Sequence, residues 1–164
     1  MNYTSPMAYE LITSWGDYQN AIDRILTLGE RRLWIFDPDL AQLKLEQASR
    51  AEALRRLLRA NRDVSLRIAV QDARPLRDHS PHLIALLRDY QHCMQVVETG
   101  PSLAGLRDCM LLADDCHGLI RFDLEQPRSK LLVDEAAELQ PYFNRFDALW
   151  QEGGTPVSAT TLGL

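Results

Sequence analysis

Residues 103–123 read LAGLRDCMLLADDCHGLIRFD, and this stretch decides the class of fold. Cys109–Ala113 is a continuous apolar run bounded by Asp108 and Asp114. It is too short for an independent helix and suits a strand buried on both faces. Asp114–Gly118 is polar and ends in glycine, which supplies the positive φ that a short reversal often needs. Leu119–Phe122 then resumes a strand-like composition. The stretch therefore predicts a β-hairpin.

Upstream of the hairpin, helical and strand patterns alternate. Asp17 is the expected N-cap of a first helix carrying Tyr18, Ile22, Ile25 and Leu26, closed by Gly29. Leu33–Phe36 reads as a buried strand that stops at Asp37–Pro38–Asp39, because proline has no N–H for a sheet ladder. Leu40–Asn61 holds an amphipathic helix with Ala51, Leu54, Leu57 and Leu58 inward. Glu46–Arg50 and Glu52–Arg56 have the spacing of helical ion pairs. Val64–Val70 alternates as a second strand, and Arg74–Ser80 reads as a polar loop. Ser80 before Pro81 marks the start of a further helix. Met94–Val97 is a short third strand.

Downstream, Lys130–Val133 is a last strand. A closing helix over 134–151 follows, with Leu139, Phe143, Phe146 and Trp150 on its apolar stripe. Pro141 must kink that helix or start a fresh segment. Strands alternating with helices imply βαβ crossovers, and the hairpin adds antiparallel strands. The expected fold is α/β: a mixed, mainly parallel sheet flanked by helices, with a C-terminal hairpin and a closing helix. The expected organisation is a lead-in over 1–16, a single domain over 17–152 and a flexible tail over 153–164.

Composition narrows the function classes. The chain has 164 residues and a net charge of −5, so no global field favours nucleic acid or an anionic membrane. No apolar run approaches a membrane span, and no secretory pattern opens the sequence, which points to a cytoplasmic protein. Cys93, Cys109 and Cys116 are scattered and read as reduced structural thiols, without the spacing of a zinc site. Lys44 and Lys130 are the only two lysines among 18 basic residues. Genomic composition or arginine-specific phosphate recognition would account for that skew.

The whole pattern resembles one half of the phospholipase D-like superfamily. That superfamily has alternating strands and helices, a hairpin bearing His-x-Lys-x4-Asp, and a late helix ending in Phe-x3-Trp. Cys109–Asp114 (CMLLAD) stands where the family has Lys, four apolar residues and Asp, and Phe146–Trp150 (FDALW) matches the closing helix. The resemblance spans residues 31–152. With Asp114 in the Asp slot, Cys109 replaces the lysine and Arg107 the histidine. With Asp115 there, Met110 and Asp108 take those places. Neither register supplies the histidine on which the family forms its phosphohistidine, nor the lysine that steadies the phosphoryl oxygens. The resemblance therefore implies a degenerate, non-hydrolytic member that needs no metal or cofactor. Its strand-end signatures WIFDPDL and LLAD are similar to those of a bacterial domain family, some members of which are fused to GNAT-type acetyltransferases. Single-half members of the superfamily pair as homodimers, which makes a homodimer the expected assembly.

Several residues carry a functional and a plainer reading side by side. Asp37, Asp39 and Asp72 follow predicted strands, where α/β sheets bind ligands, but Asp also caps helices and makes turns. Arg107, Asp108, Asp114 and Arg121 would form an anion pocket in place of the lost motif, or cross-strand ion pairs. Arg55, Arg59 and Arg62 would face phosphates or simply face water. His79 and His82 lie three residues apart at a loop–helix junction, while His92 and His117 read as surface residues.

Three functions follow. The first is a non-catalytic module binding a phosphate-bearing ligand near Arg107 and Arg121, or a protein partner. The second is an enzyme of altered chemistry using His79 or His82 with Asp37 or Asp72. The third is a structural dimerisation domain for an acetyltransferase.

Overall fold

The computed structural model describes residues 9–159. Its elements run β1 (Tyr9–Ile12), α1 (Trp15–Leu28), β2 (Leu33–Asp37), α2 (Ala48–Ala60), β3 (Leu66–Val70), α3 (Arg74–His79), α4 (Pro81–Asp89) and β4 (Met94–Thr99). They continue with β5 (Cys109–Ala113), β6 (His117–Arg121), β7 (Ser129–Leu132), α5 (Ala136–Glu152) and β8 (Gly154–Pro156). One sheet holds every strand, in the order β1-β7-β6-β5-β2-β3-β4-β8.

The sheet is mixed, and its parallel ladders are confined to β2, β3 and β4. These are the strands that helical crossovers connect. The hairpin and the terminal strands join antiparallel. The expected hairpin is β5–β6, with Ala113 opposite His117.

Strand alternation sorts the core into two layers. Leu33, Ile35, Leu111 and Leu119 face α1, α2 and α4, joining Ile22, Ile25, Leu54, Leu58 and Leu86. Trp34, Phe36, Met110, Leu112 and Ile120 face the single helix α5, against Leu139, Phe143 and Phe146. Phe146 is fully buried and stacks on Trp34 at 5.1 Å between ring centroids. Its burial is worth about 1.5–3 kcal/mol. Gly118 lets α5 close on the hairpin, because a Cβ there would lie 2.6 Å from Leu139 Cδ2. Helix α5 runs on through Pro141, which lies inside it and has no N–H for the carbonyl of residue 137.

Several boundaries differ from expectation. Ser14, not Asp17, caps α1: its hydroxyl accepts the Asp17 N–H at 3.1 Å. Part of the lead-in, Tyr9–Ile12, pairs with β7, and part of the expected tail, Gly154–Pro156, pairs with β4. A terminal strand needs only backbone groups, so side-chain patterning hides it. Residues 1–8 and 160–164 lie outside the described residues.

The segment before α2 is not helical, because Leu40 and Lys44 adopt positive φ around a 3-10 turn at Ala41–Leu43. The expected polar loop over 74–80 holds helix α3. Ser80 makes no capping bond to α4. The Glu46 carboxylate does so from a distance, accepting the N–H groups of His82 and Leu83, each at 3.0 Å. Glu46 is therefore not the partner of Arg50, which is buried and donates to Asp23, Gln19 and Leu43 instead.

Candidate functional site

Cys109, at the start of β5, lies beside the end of β2. Register places Phe36 opposite Met110 and Cys109 opposite Arg121, so Asp37, Cys109 and Arg121 form one cross-strand row. They share the sheet face that α1 covers, beneath Trp15 and Tyr18. Asp37 belongs to this row because Pro38 stops the strand behind it, and its carboxylate accepts the N–H groups of Asp39 and Leu40.

Arg121 fills the space that the row leaves. Its guanidinium meets the Asp37 carboxylate at 3.4 Å, and both side chains are 1% exposed. It donates to the carbonyls of Asp123 at 2.8 Å and Leu124 at 2.9 Å. The rings of Trp15 and Tyr18 lie 5.4 and 5.2 Å from its central carbon. Its Nε is buried without an acceptor.

Burial pushes the Asp37 carboxyl up, against the pull of Arg121 and the two N–H donors. Burial also pushes the Cys109 thiol up, and the neighbouring Asp37 adds to it. A thiol held protonated is a poor nucleophile. Tyr18 is likewise held protonated, mainly by burial.

The other expected site residues lie elsewhere. Arg107 is exposed and pairs with Asp123 at 3.4 Å, and Asp108 pairs with Arg145 of α5 at 2.8 Å. Arg107 and Asp123 continue the β5–β6 register as a cross-strand pair, whereas Asp108 reaches across to α5. Asp114 sits at the far end of β5, about 17 Å along the strand from Cys109. There it accepts three backbone N–H groups, from Glu30 at 2.9 Å, Arg31 at 2.8 Å and Arg32 at 3.0 Å. Burial works to raise its pKa, and these donors outweigh burial, holding the carboxyl below the ordinary range. Asp115 points outward to Arg32, so Asp114 holds the inward position of the turn.

Asp72 accepts the Arg74 N–H and pairs with the Arg74 guanidinium at 2.8 Å. The Arg74 hydrogen bonds lower its pKa to about 2. His82 Nδ1 lies 3.1 Å from Glu46, and His79 faces a separate cleft with Asp39, Lys44 and Glu46. Neither histidine contacts Asp37 or Asp72, so the structure gives the altered-enzyme reading no histidine–aspartate pair.

His117, expected at the surface, is buried at the start of β6. With Cys116 and Asp134 it forms a group whose ligand-type atoms lie within 4.8 Å of one another. However, its Nδ1 accepts the Asp134 N–H at 3.1 Å. The neutral ring therefore carries its proton on Nε2, the atom facing the Asp134 carboxylate at 3.9 Å. Burial also raises the Cys116 thiol.

Comparison with known proteins agrees with this architecture. The model of a family described as Domain of unknown function (DUF7931) matches residues 15–159. Nuc from Salmonella typhimurium, a phospholipase D family member, superposes with a TM-score of 0.60 at 8% identity, covering 92% of this chain and 97% of Nuc. NucT from Helicobacter pylori gives 0.58 at 10% identity, covering 92% and 98%. TrmBL2, an archaeal chromatin protein whose structure shows a novel mode of DNA binding, gives 0.62 at 11% identity and covers 92% of this chain. The present chain spans 55% of that protein's length. No curated protein matches the sequence. These likenesses show a phospholipase D-like fold. Among the described residues, no helix is long and apolar enough to cross a membrane.

Proposed function

The chain belongs to the DUF7931 family and has a phospholipase D-like fold, and from this we propose that it is a degenerate, non-catalytic member that works by binding. One observation carries the reading: the row around Cys109, which stands in the lysine slot of the resemblance, is filled by the buried Asp37–Arg121 pair and the Cys109 thiol. The row holds no imidazole to take up a phosphoryl group. Arg121, with its neighbours on every side, is closed to a ligand as the row stands. An anion site at Arg107 and Arg121 would need that pair to open, so a phosphate-bearing ligand is better sought elsewhere on the molecule.

The test is hydrolysis of bis(p-nitrophenyl) phosphate by the purified chain. The expected result is no turnover above the uncatalysed background between pH 5 and 9. Turnover that disappears in Asp37→Asn or Cys109→Ala, with the fold retained, overturns the reading.

A protein partner is the second reading, and it rests on the β1 edge. Leu11 is 58% and Phe122 40% exposed, and both line a cleft beside this outermost strand with Tyr9 and Lys130. An edge that has no further strand among the described residues, with exposed apolar side chains, invites another chain. The partner argued here is a second copy, and an acetyltransferase is the alternative occupant. Light scattering coupled to size exclusion should show a dimer that Leu11→Glu converts to monomer. A monomeric wild-type chain counts against the second copy.

A further inference from the structure

The end of the molecule opposite the Asp37–Arg121 row carries a separate feature. The turn from α1 to β2 and the turn from α2 to β3 enclose a cavity of about 250 Å³, lined by Arg31, Arg32, Asn61, Arg62, Asp63 and Val64. Three arginines and one aspartate line it, in a chain whose net charge is −5.

Of the acceptors nearby, Asp114 and Asp115 are engaged, and Asp63 stands on the cavity wall. Both oxygens of Asp114 bind backbone N–H groups of the first turn. Asp115 pairs with Arg32, whose guanidinium also lies 5.3 Å from the centre of the Trp34 ring. Among the described residues, the side chains of Arg31 and Arg62 have no hydrogen-bond or ion-pair acceptor.

The two turns are held together by side chains. The Asn61 amide donates across to the Glu30 carbonyl at 3.1 Å and back to Leu57 at 2.8 Å. Arg56 reaches from α2 to the last carbonyls of α1, including Leu26 at 3.0 Å. The cavity is thus assembled before any ligand arrives, which spares the cost of ordering it.

We propose that this cavity is a binding site for a small phosphate anion, either inorganic pyrophosphate or the terminal phosphate of a phosphomonoester. Arginine forks suit paired phosphate oxygens, and Arg31 and Arg62 are free to supply them. The volume lies below the roughly 300–1,000 Å³ of sites that enclose larger organic ligands, which favours the phosphate group itself. A nucleic-acid backbone would need several more neutralising contacts than two free arginines provide, on a chain without net positive charge. The inference rests on the binding reading above and names its ligand class.

The experiment is titration calorimetry of the full chain with inorganic pyrophosphate at constant ionic strength, with thermal melts alongside. Wild type should bind saturably and melt at a higher temperature with ligand. Arg31→Ala/Arg62→Ala should bind at least about 10-fold more weakly, the loss expected when charge-assisted contacts are removed. Arg24→Ala/Arg88→Ala removes the same charge elsewhere and should bind like wild type. Arg31→Lys/Arg62→Lys should fall between, since lysine keeps the charge but loses the fork.

Absence of saturable binding by wild type overturns the proposal, and so does equal weakening in both alanine pairs. Binding of duplex DNA that the Arg31/Arg62 pair abolishes, without any response to pyrophosphate, overturns the ligand class. Hydrolytic turnover with pyrophosphate binding intact overturns the non-catalytic reading and leaves this site standing.

Discussion

Arg121→Ala is expected to lower the unfolding free energy by about 3–5 kcal/mol, the range for a buried ion pair that loses one partner. The loss would come mainly from what remains. Asp37 would keep its two N–H donors from Asp39 and Leu40 but lose the one cationic partner it has among the described residues, at 1% exposure. The carbonyls of Asp123 and Leu124 would lose a donor as well. Guanidinium unfolding at pH 7 measures the effect. The sign with pH follows from Asp37, whose carboxyl is already pushed up by burial. A group that binds its proton more tightly when folded gains stability for the fold as pH falls below its folded pKa. The deficit of Arg121→Ala should therefore be larger at pH 7 than near pH 4. Asp37→Asn/Arg121→Met removes both charges and keeps an acceptor for the Leu40 N–H, so it should recover most of the loss. If Arg121→Ala costs less than about 1 kcal/mol, the pair does not seal the row, and the case for a closed motif end fails.

The elements that could be read from the sequence are those whose apolar period was unambiguous. Cys109–Ala113 and Leu33–Phe36 are continuous apolar runs, and both are central strands buried on both faces. The stripe through Leu139, Phe143 and Phe146 belongs to a helix that alone covers one face of the sheet. What escaped reading depends on backbone rather than side-chain pattern. The strands β1 and β8 add to the sheet through N–H and C=O groups, and the bend at Leu40 and Lys44 rests on positive φ that neither residue type signals.

The candidate site was legible only in part. Asp37 and Arg121 were both singled out, but nothing local reveals that residues 84 positions apart meet. Asp114 was placed with them because a motif slot is a position in a string, whereas its side chain binds at the other end of the strand. Arg31 and Arg32 form a plain pair in the sequence. They reach Arg62 only because β2 and β3 are parallel neighbours, which brings the turns that precede them side by side.

Asp114→Ala is expected to cost about 2–4 kcal/mol, although Asp114 lies at the far end of β5 from the Asp37–Arg121 pair. Hydrogen bonds to a charged group are worth about 1.5–3 kcal/mol, and three backbone donors converge on this carboxylate. Alanine would also have to hold φ at 58°, in the left-handed region where a Cβ without a local hydrogen bond costs about 1–2 kcal/mol. Asn tolerates that conformation and retains one oxygen, so Asp114→Asn should lose less than Asp114→Ala. The pH dependence runs opposite to that of Asp37. The folded pKa of Asp114 lies below its unfolded value of about 3.9, so its contribution is fully present above that value and is lost as pH falls through the folded pKa. The gap between wild type and Asp114→Asn should be constant from pH 5 to 7 and close below about pH 4. The same substitution bears on the cavity, because the donors that Asp114 gathers belong to the residues carrying two of its three arginines. Loosening that turn should weaken pyrophosphate binding without removing a guanidinium. If Asp114→Ala unfolds within about 0.5 kcal/mol of wild type, the three bonds do not hold the turn in solution, and the position of Arg31 and Arg32 loses its support.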